Sequence, residues 1–166
     1  MPSKLVIGID PGSIVCGYGI LRSQNNSISY IASGQIKPYK KEPLCIRLKY
    51  IYKELSDIIA KYKPDEAVIE KVFYAKGIKA ALNLGHARGA AMLCASINEL
   101  PVIEYSPLEI KQAVTGYGRA DKNQVLEMVK VILNLNTPLS TDTSDALAAA
   151  ICHINRAEFI LENRHC

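Results

Sequence analysis

The stretch KLVIGIDPGS, residues 4–13, decides how the chain is read. A short apolar run closed by Pro-Gly has the form of a central β-strand followed by a turn. It ends in Asp10, and a carboxylate on the most apolar strand of a small protein is costly unless something pairs with it. Asp10 therefore either caps the turn, which Asp-Pro-Gly makes readily, or holds a ligand. Only the remainder of the chain separates the two.

Outward from this strand, CGYGILRS and SISYIASGQIK flank the polar turn QNN, so the first three strands form an antiparallel meander. After Pro43 the period changes: Leu44, Leu48, Ile51, Leu55, Ile58 and Tyr62 recur at helical spacing until Pro64. EAVIEKV is a second apolar strand interrupted by a carboxylate, Glu70. A helix rich in Ala and Gly follows from about Lys76 to Asn98, its small residues suited to close packing on the sheet or on a second subunit. PVIEY reads as a fifth strand and PLEIKQAVTG as a short helix ended by Gly116. Asp121 with Gln124 forms a capping box for a helix carrying Val125, Met128, Val129 and Ile132. The last helix starts near Ser140 to Asp142 and runs through DALAAAICHI, and ENRHC is left to fray. Three strands, a helix, a strand, a helix, a strand and then helices make an α/β layered domain with a five-stranded mixed sheet flanked by helices.

The 166 residues suit a single domain, 1–166, with an ordered core over about 3–157. Five cysteines (Cys16, Cys45, Cys94, Cys152 and Cys166) lie far apart without a C-x-x-C pair, so neither a disulfide framework nor a zinc knuckle is expected. Cys16, Cys94 and Cys152 sit in apolar patterns and read as small core residues. No basic and apolar leader precedes the first strand and no apolar run nears the ~20 residues of a membrane span, so a cytoplasmic protein is expected. The net charge of +4 is unevenly spread. Lys37 to Lys63 holds eight bases and three acids, Lys71 to Arg88 four bases and no acid, and Asp142 to Glu162 four acids and one base. A basic surface beside an acidic cluster suits a nuclease acting on a polyanion, although ordinary solvated charge gives the same pattern.

Asp10 and Glu70 occupy comparable places, each at the exit of an apolar strand. A helical crossover would make those strands parallel neighbours, bringing both acids to the edge of the sheet where open α/β folds place ligands. Two such acids repel unless a proton or cation intervenes, which argues for a bound cation. Asp142 and Asp145, spaced i, i+3 at a helix start, share one face and gain from the helix dipole. For Asp142 an N-cap role is an equal reading; Asp145 leads into Ala146, Leu147 and Ala148, a face expected in the core. Oxygen donors without clustered Cys or His point to Mg²⁺ or Mn²⁺ rather than zinc, and two such ions could activate a water and stabilise the leaving oxygen of a phosphodiester.

The blocks IGIDPGS…GYG, IEKVFYAKG, LGHARGAA, EYSPLEIKQAVTGYGRADKNQV and DTSDALAAAICH resemble, in order, those of the RuvC-type Holliday junction resolvases, from about residue 4 to 155. The resemblance implies an RNase H-like fold and places the four catalytic, metal-binding acids of that family on Asp10, Glu70, Asp142 and Asp145. It implies Mg²⁺-dependent hydrolysis of a phosphodiester in each of two strands of like polarity, leaving 5′-phosphate and 3′-hydroxyl ends. It also implies a homodimer acting on four-way junction DNA with the RuvA and RuvB branch-migration proteins. Lys111 and Lys122 match bases used near the scissile phosphate, where a cation offsets transition-state charge. Phe73 matches an aromatic wedge that stacks on an unpaired base, and Tyr74 is ambiguous between that role and packing. Lys76, Lys79 and Arg88 extend the basic stretch as contacts to the DNA backbone. Gly12 is expected to permit the turn after Asp10. His153 lies ~16 Å along the helix from Asp142, too far to share a metal, and reads as a core or surface histidine; His86 reads as packing or a DNA contact.

Two other readings compete. IGIDPGS also resembles the first phosphate loop of the actin-like and sugar-kinase ATPases, which need a second domain and an adenosine-binding glycine motif that 166 residues cannot accommodate. A noncatalytic junction-binding or RNA-processing relative would lack one or more of the acids, and here none is missing.

Overall fold

The computed structural model describes residues 3–71 and 77–162. Its elements are β1 (Lys4–Asp10), β2 (Cys16–Gln24), β3 (Ser27–Ile36), α1 (Leu44–Tyr62), β4 (Glu66–Glu70), α2 (Ile78–Ile97), β5 (Val102–Tyr105), α3 (Pro107–Thr115), α4 (Lys122–Ile132) and α5 (Thr141–Glu162). The strand order is β3-β2-β1-β4-β5, so the opening strand is the centre of the sheet. β1, β2 and β3 pair antiparallel, whereas β1 with β4 and β4 with β5 pair parallel. This is the expected mixed five-stranded sheet, and α1 is the crossover that makes β4 parallel to β1.

Local chemistry places the breaks. Asn25 and Asn26 both take positive φ, 51° and 57°, which gives the tight two-residue hairpin turn between β2 and β3. Lys63 closes α1 in the left-handed region, its N–H donating to the Ile59 carbonyl, just before Pro64. β4 stops at Glu70, two residues before the apolar EAVIEKV run does. Both expected strand carboxylates thus sit at strand ends rather than inside them.

The period-2 alternation of β1 and β4 sorts their residues between two cores. Ile7, Ile9, Ile20, Ala67 and Ile69 pack with Ile51, Leu55 and Ile59 of α1 and with Ala91, Cys94 and Ala95 of α2. Val6, Leu21 and Val68 pack on the other face with α3, α4 and α5. Gly8 and Asp10 share the face of Val6, and Glu66 and Glu70 share that of Val68. On that face α5 lies directly on β1 and β2. A Cβ at Gly8 would stand 1.9 Å from the Ala146 carbonyl oxygen, and one at Gly17 would stand 2.2 Å from that of Asp142. Facing Gly8, Ala146 and Ala150 are buried, so the Ala-rich helix and the Gly-containing strands are two halves of one close contact. Cys16, Cys94 and Cys152 are buried and unpaired, as expected of small core residues. Among the described residues no helix is long and apolar enough to cross a membrane.

Candidate active site

The register of the sheet assembles the site. Asp10 pairs with Gly17 and Gly17 with Gln35, while Glu70 pairs with Tyr105. Ile9 pairs with Ile69, so Asp10 and Glu70 occupy the next row of the parallel ladder. Gln35, Gly17, Asp10, Glu70 and Tyr105 therefore form one row across the five strands, at the carboxyl ends of β1, β3, β4 and β5 and the amino end of the antiparallel β2, on the face covered by α5.

The first turn of α5 comes down over this row. Ser140 is its cap: its Oγ accepts from the Thr143 N–H at 3.3 Å and donates to Thr143 Oγ1 at 2.8 Å. Asp142 is thus relieved of capping. Its Oδ2 accepts instead from Gln35 Nε2 at 2.7 Å. One turn on, Asp145 Oδ2 accepts from Lys122 Nζ at 3.0 Å. Lys122 is the first residue of α4 and is placed by the expected capping box, in which Asp121 Oδ1 accepts from the Gln124 N–H and Gln124 Oε1 from the Asp121 N–H, both at 2.9 Å. A second capping box, Ser106 with Glu109, starts α3 and places Lys111. Glu70, Lys111, Lys122 and Asp145, with Pro107, Ile110 and Val125, line a cleft of about 250 Å³.

The electrostatics are those of crowded acids. Burial pushes Asp10 up from 3.8 to about 8, with further upward pressure from Asp145, Glu70 and Asp142, against which Lys122 acts alone. Glu70 is raised by burial and by Asp145, with Lys122 and Lys111 opposing. Lys122 is itself raised: burial acts to lower it, but the bond to Asp145 and the charges of Asp145, Asp10 and Glu70 prevail. Among the described residues no three of His, Cys, Asp or Glu converge closely enough to hold an ion as they stand. Glu70 and Asp145 instead line the cleft, and the Lys122 ammonium sits on Asp145. Four hard oxygen donors with negative charge in excess of local compensation fit a hard divalent cation and suit neither zinc nor a soft metal.

The remaining expected residues divide. Lys79 is exposed, as a backbone contact requires. Arg88 is committed inward: its Nε donates to the Glu70 carbonyl at 3.3 Å and its guanidinium pairs with Glu104 of β5. It braces the strand end that carries Glu70 from the face opposite α5. Phe73, Tyr74 and Lys76 lie outside the described residues. At Gly12 a Cβ would stand 2.2 Å from the Val15 carbonyl oxygen, so the turn after Asp10 does require glycine there. His86 is exposed on α2. His153 is buried about midway along α5, its ring between the Tyr105 hydroxyl at 2.9 Å and Glu66 Oε2 at 2.8 Å. Lys4 also donates to Glu66, at 2.7 Å. Two site residues have no counterpart in the sequence reading. One is Gln35. The other is Arg47 of α1, whose Nη1 donates to the Ser13 carbonyl at 2.7 Å and fixes the loop that leaves Asp10.

An acidic centre at the carboxyl edge of this sheet defines a nuclease of the RNase H-like class. Within that class, the family model of the crossover junction endodeoxyribonuclease RuvC matches residues 6–153, and the chain belongs to that family. A crossover junction endodeoxyribonuclease RuvC of Alkaliphilus metalliredigens is 44% identical over 156 residues, 93% of this chain and 95% of the relative. That of Syntrophotalea carbinolica is 49% identical over 148 residues, 89% and 92% of the two chains. Among solved structures, Thermus thermophilus RuvC in complex with Holliday junction substrate superposes with a TM-score of 0.88 at 30% identity, covering 94% of this chain and 96% of that one. The yeast mitochondrial Holliday junction resolvase Ydc2, at 11% identity and a TM-score of 0.69, shares the fold. Membership implies dependence on a divalent metal ion.

Proposed function

We propose that the chain resolves four-way DNA junctions by paired, symmetric nicks, as a cytoplasmic homodimer working with the RuvA and RuvB branch-migration proteins. The observation that carries the reading is the gathering of Asp10, Glu70, Asp142 and Asp145 at one sheet edge with Lys122 on Asp145. These acids would hold Mg²⁺, with Mn²⁺ as a substitute and two ions per site. Bound there, such ions lower the pKa of a water and neutralise the leaving oxygen of a phosphodiester. In the hydrolysis a water oxygen forms the new bond to phosphorus and the bond to the 3′ oxygen breaks, leaving a 5′-phosphate and a 3′-hydroxyl. Lys122 and Lys111 face the cleft where the phosphate would lie and offset its growing charge. Phe73 and Tyr74 would engage a base near the crossover, and Lys76 and Lys79 the backbone.

Support for a dimer comes from α2. Ile78, Leu82, Leu93 and Ile97 are 82%, 58%, 57% and 58% exposed, and they fall with Gly85 and Gly89 on one helical stripe. An apolar face of this length, with open glycines that allow close approach, fits a second copy of the chain. Two copies match the two-fold symmetry of a four-way junction.

The test is cleavage of a synthetic four-way junction and of a linear duplex by purified protein with Mg²⁺. Symmetric nicks confined to the junction are expected, with Asp145→Asn binding but not cutting. Equal cleavage of the linear duplex would refute the resolvase reading and leave the nuclease reading standing.

A further inference from the structure

We propose that Gln35 is a positioning residue of the acid centre, holding Asp142 by one carboxylate oxygen so that the other stays available to the cation. Asp142 sits over a gap in the side-chain row. The central residue, Gly17, lies between Asp10 on β1 and Gln35 on β3, and a Cβ on it would stand 3.1 Å from the Cβ of Asp142. The helix acid thus drops between the strand acid and the strand amide, and its Oδ2 meets Gln35 Nε2 at 2.7 Å, a charge-assisted length. No other hydrogen bond to the Asp142 carboxylate is made among the described residues. The neighbouring pair repeats the tie, with Thr143 Oγ1 donating to the Gly34 carbonyl at 3.3 Å. Two consecutive residues of β3 therefore hold two consecutive residues of the first turn of α5.

The chemistry of the amide explains the residue type. A lysine here would neutralise Asp142 and compete with a cation; a glutamate would repel it; an apolar side chain would leave the carboxylate free to rotate. Gln35 donates without adding charge. The two helix acids consequently have different partners, a neutral one on Asp142 and an ammonium on Asp145. Partners that orient metal-binding carboxylates in this way typically matter at the level of roughly 10- to 100-fold in metal affinity or activity.

The inference rests on the reading of the acids as a cation site. Gln35→Met keeps the volume and removes the donor, and Gln35→Ala removes both. Metal affinity is read without DNA, by calorimetric titration of Mn²⁺ into the protein, beside kcat and KM for junction cleavage. Both variants are expected to bind Mn²⁺ roughly tenfold more weakly and to lose roughly tenfold or more in kcat, with KM for the junction within about twofold of wild type. Thr143→Val, which loosens α5 without touching the Asp142 carboxylate, should keep its metal affinity. Gln35→Met with unchanged Mn²⁺ affinity and kcat would overturn the proposal, as would Thr143→Val losing affinity equally. Thermal melts of the cation-free variants establish that each is folded. Wild-type protein that neither binds nor needs a divalent ion would refute the cation site itself, a separate outcome.

Discussion

Replacing Asp10 with asparagine should abolish cleavage and at the same time stabilise the cation-free protein. Burial and the charges of Asp145, Glu70 and Asp142 raise Asp10 from 3.8 to about 8. A folded-state pKa above the unfolded value means that the folded protein retains a proton which the unfolded chain releases. The contribution of this group to stability is therefore complete below about pH 4 and is lost progressively as pH rises towards 8. At 1.36 kcal/mol per pH unit, the loss between 3.8 and pH 7 is ~4 kcal/mol; relaxation and water entering the cleft bring it to ~2 kcal/mol. Asparagine has nearly the same shape and carries none of this cost. For a chain of this size ~2 kcal/mol corresponds to a Tm higher by roughly 4–8 °C. Melts of wild type and Asp10→Asn in a chelator should show a gap that is smallest near pH 4.5 and widens to pH 8. Added Mg²⁺ or Mn²⁺ favours the ionised carboxylate, so it should raise the wild-type Tm more than that of the variant and narrow the gap. A variant no more stable than wild type at pH 7 without cations, or a gap that does not grow with pH, would refute the description of Asp10 as an uncompensated buried acid.

Three further outcomes follow from the packing. Gly17→Ala puts a methyl group 2.2 Å from the Asp142 carbonyl oxygen, so α5 must lift from the sheet; a loss of ~1–3 kcal/mol in denaturant unfolding and near-complete loss of nicking are expected. His153→Ala removes the ring between Tyr105 and Glu66 and should cost ~1–3 kcal/mol in thermal melts. Because that ring is ~16 Å along α5 from Asp142, its cleavage rate at saturating Mg²⁺ should stay close to wild type. Leu93→Glu places a charge on the exposed stripe of α2, and sedimentation should show a shift towards monomer without a fall in the Tm of the monomeric fold.

What could be read from the sequence, and what could not, follows from where each residue incurs its cost. Asp10 and Glu70 stand out because a carboxylate at the end of an apolar strand is anomalous within its own few neighbours, and the single helix between their strands is enough to make them parallel. The helices and strands are legible for the same local reason, since their periods are carried by adjacent residues. Gln35 is a polar residue on an alternating strand and looks like any other; its meaning lies 107 residues away, on Asp142, and depends on a glycine in the neighbouring strand. Arg88 sits in a run of bases and reads as surface charge, yet its long side chain reaches under the sheet to Glu104 and the Glu70 carbonyl. His153, open between core and surface, proves to be buried with both ring nitrogens bonded, to partners 48 and 87 residues away. The acids announce themselves because isolated charge is costly wherever it is buried. The neutral and inward-turned residues that hold them are silent, because a satisfied hydrogen bond removes the cost that would have marked them. The part of an active site least visible in one sequence is therefore its support, and here that support is the row of Gln35, Gly17 and Asp10 beneath the first turn of α5.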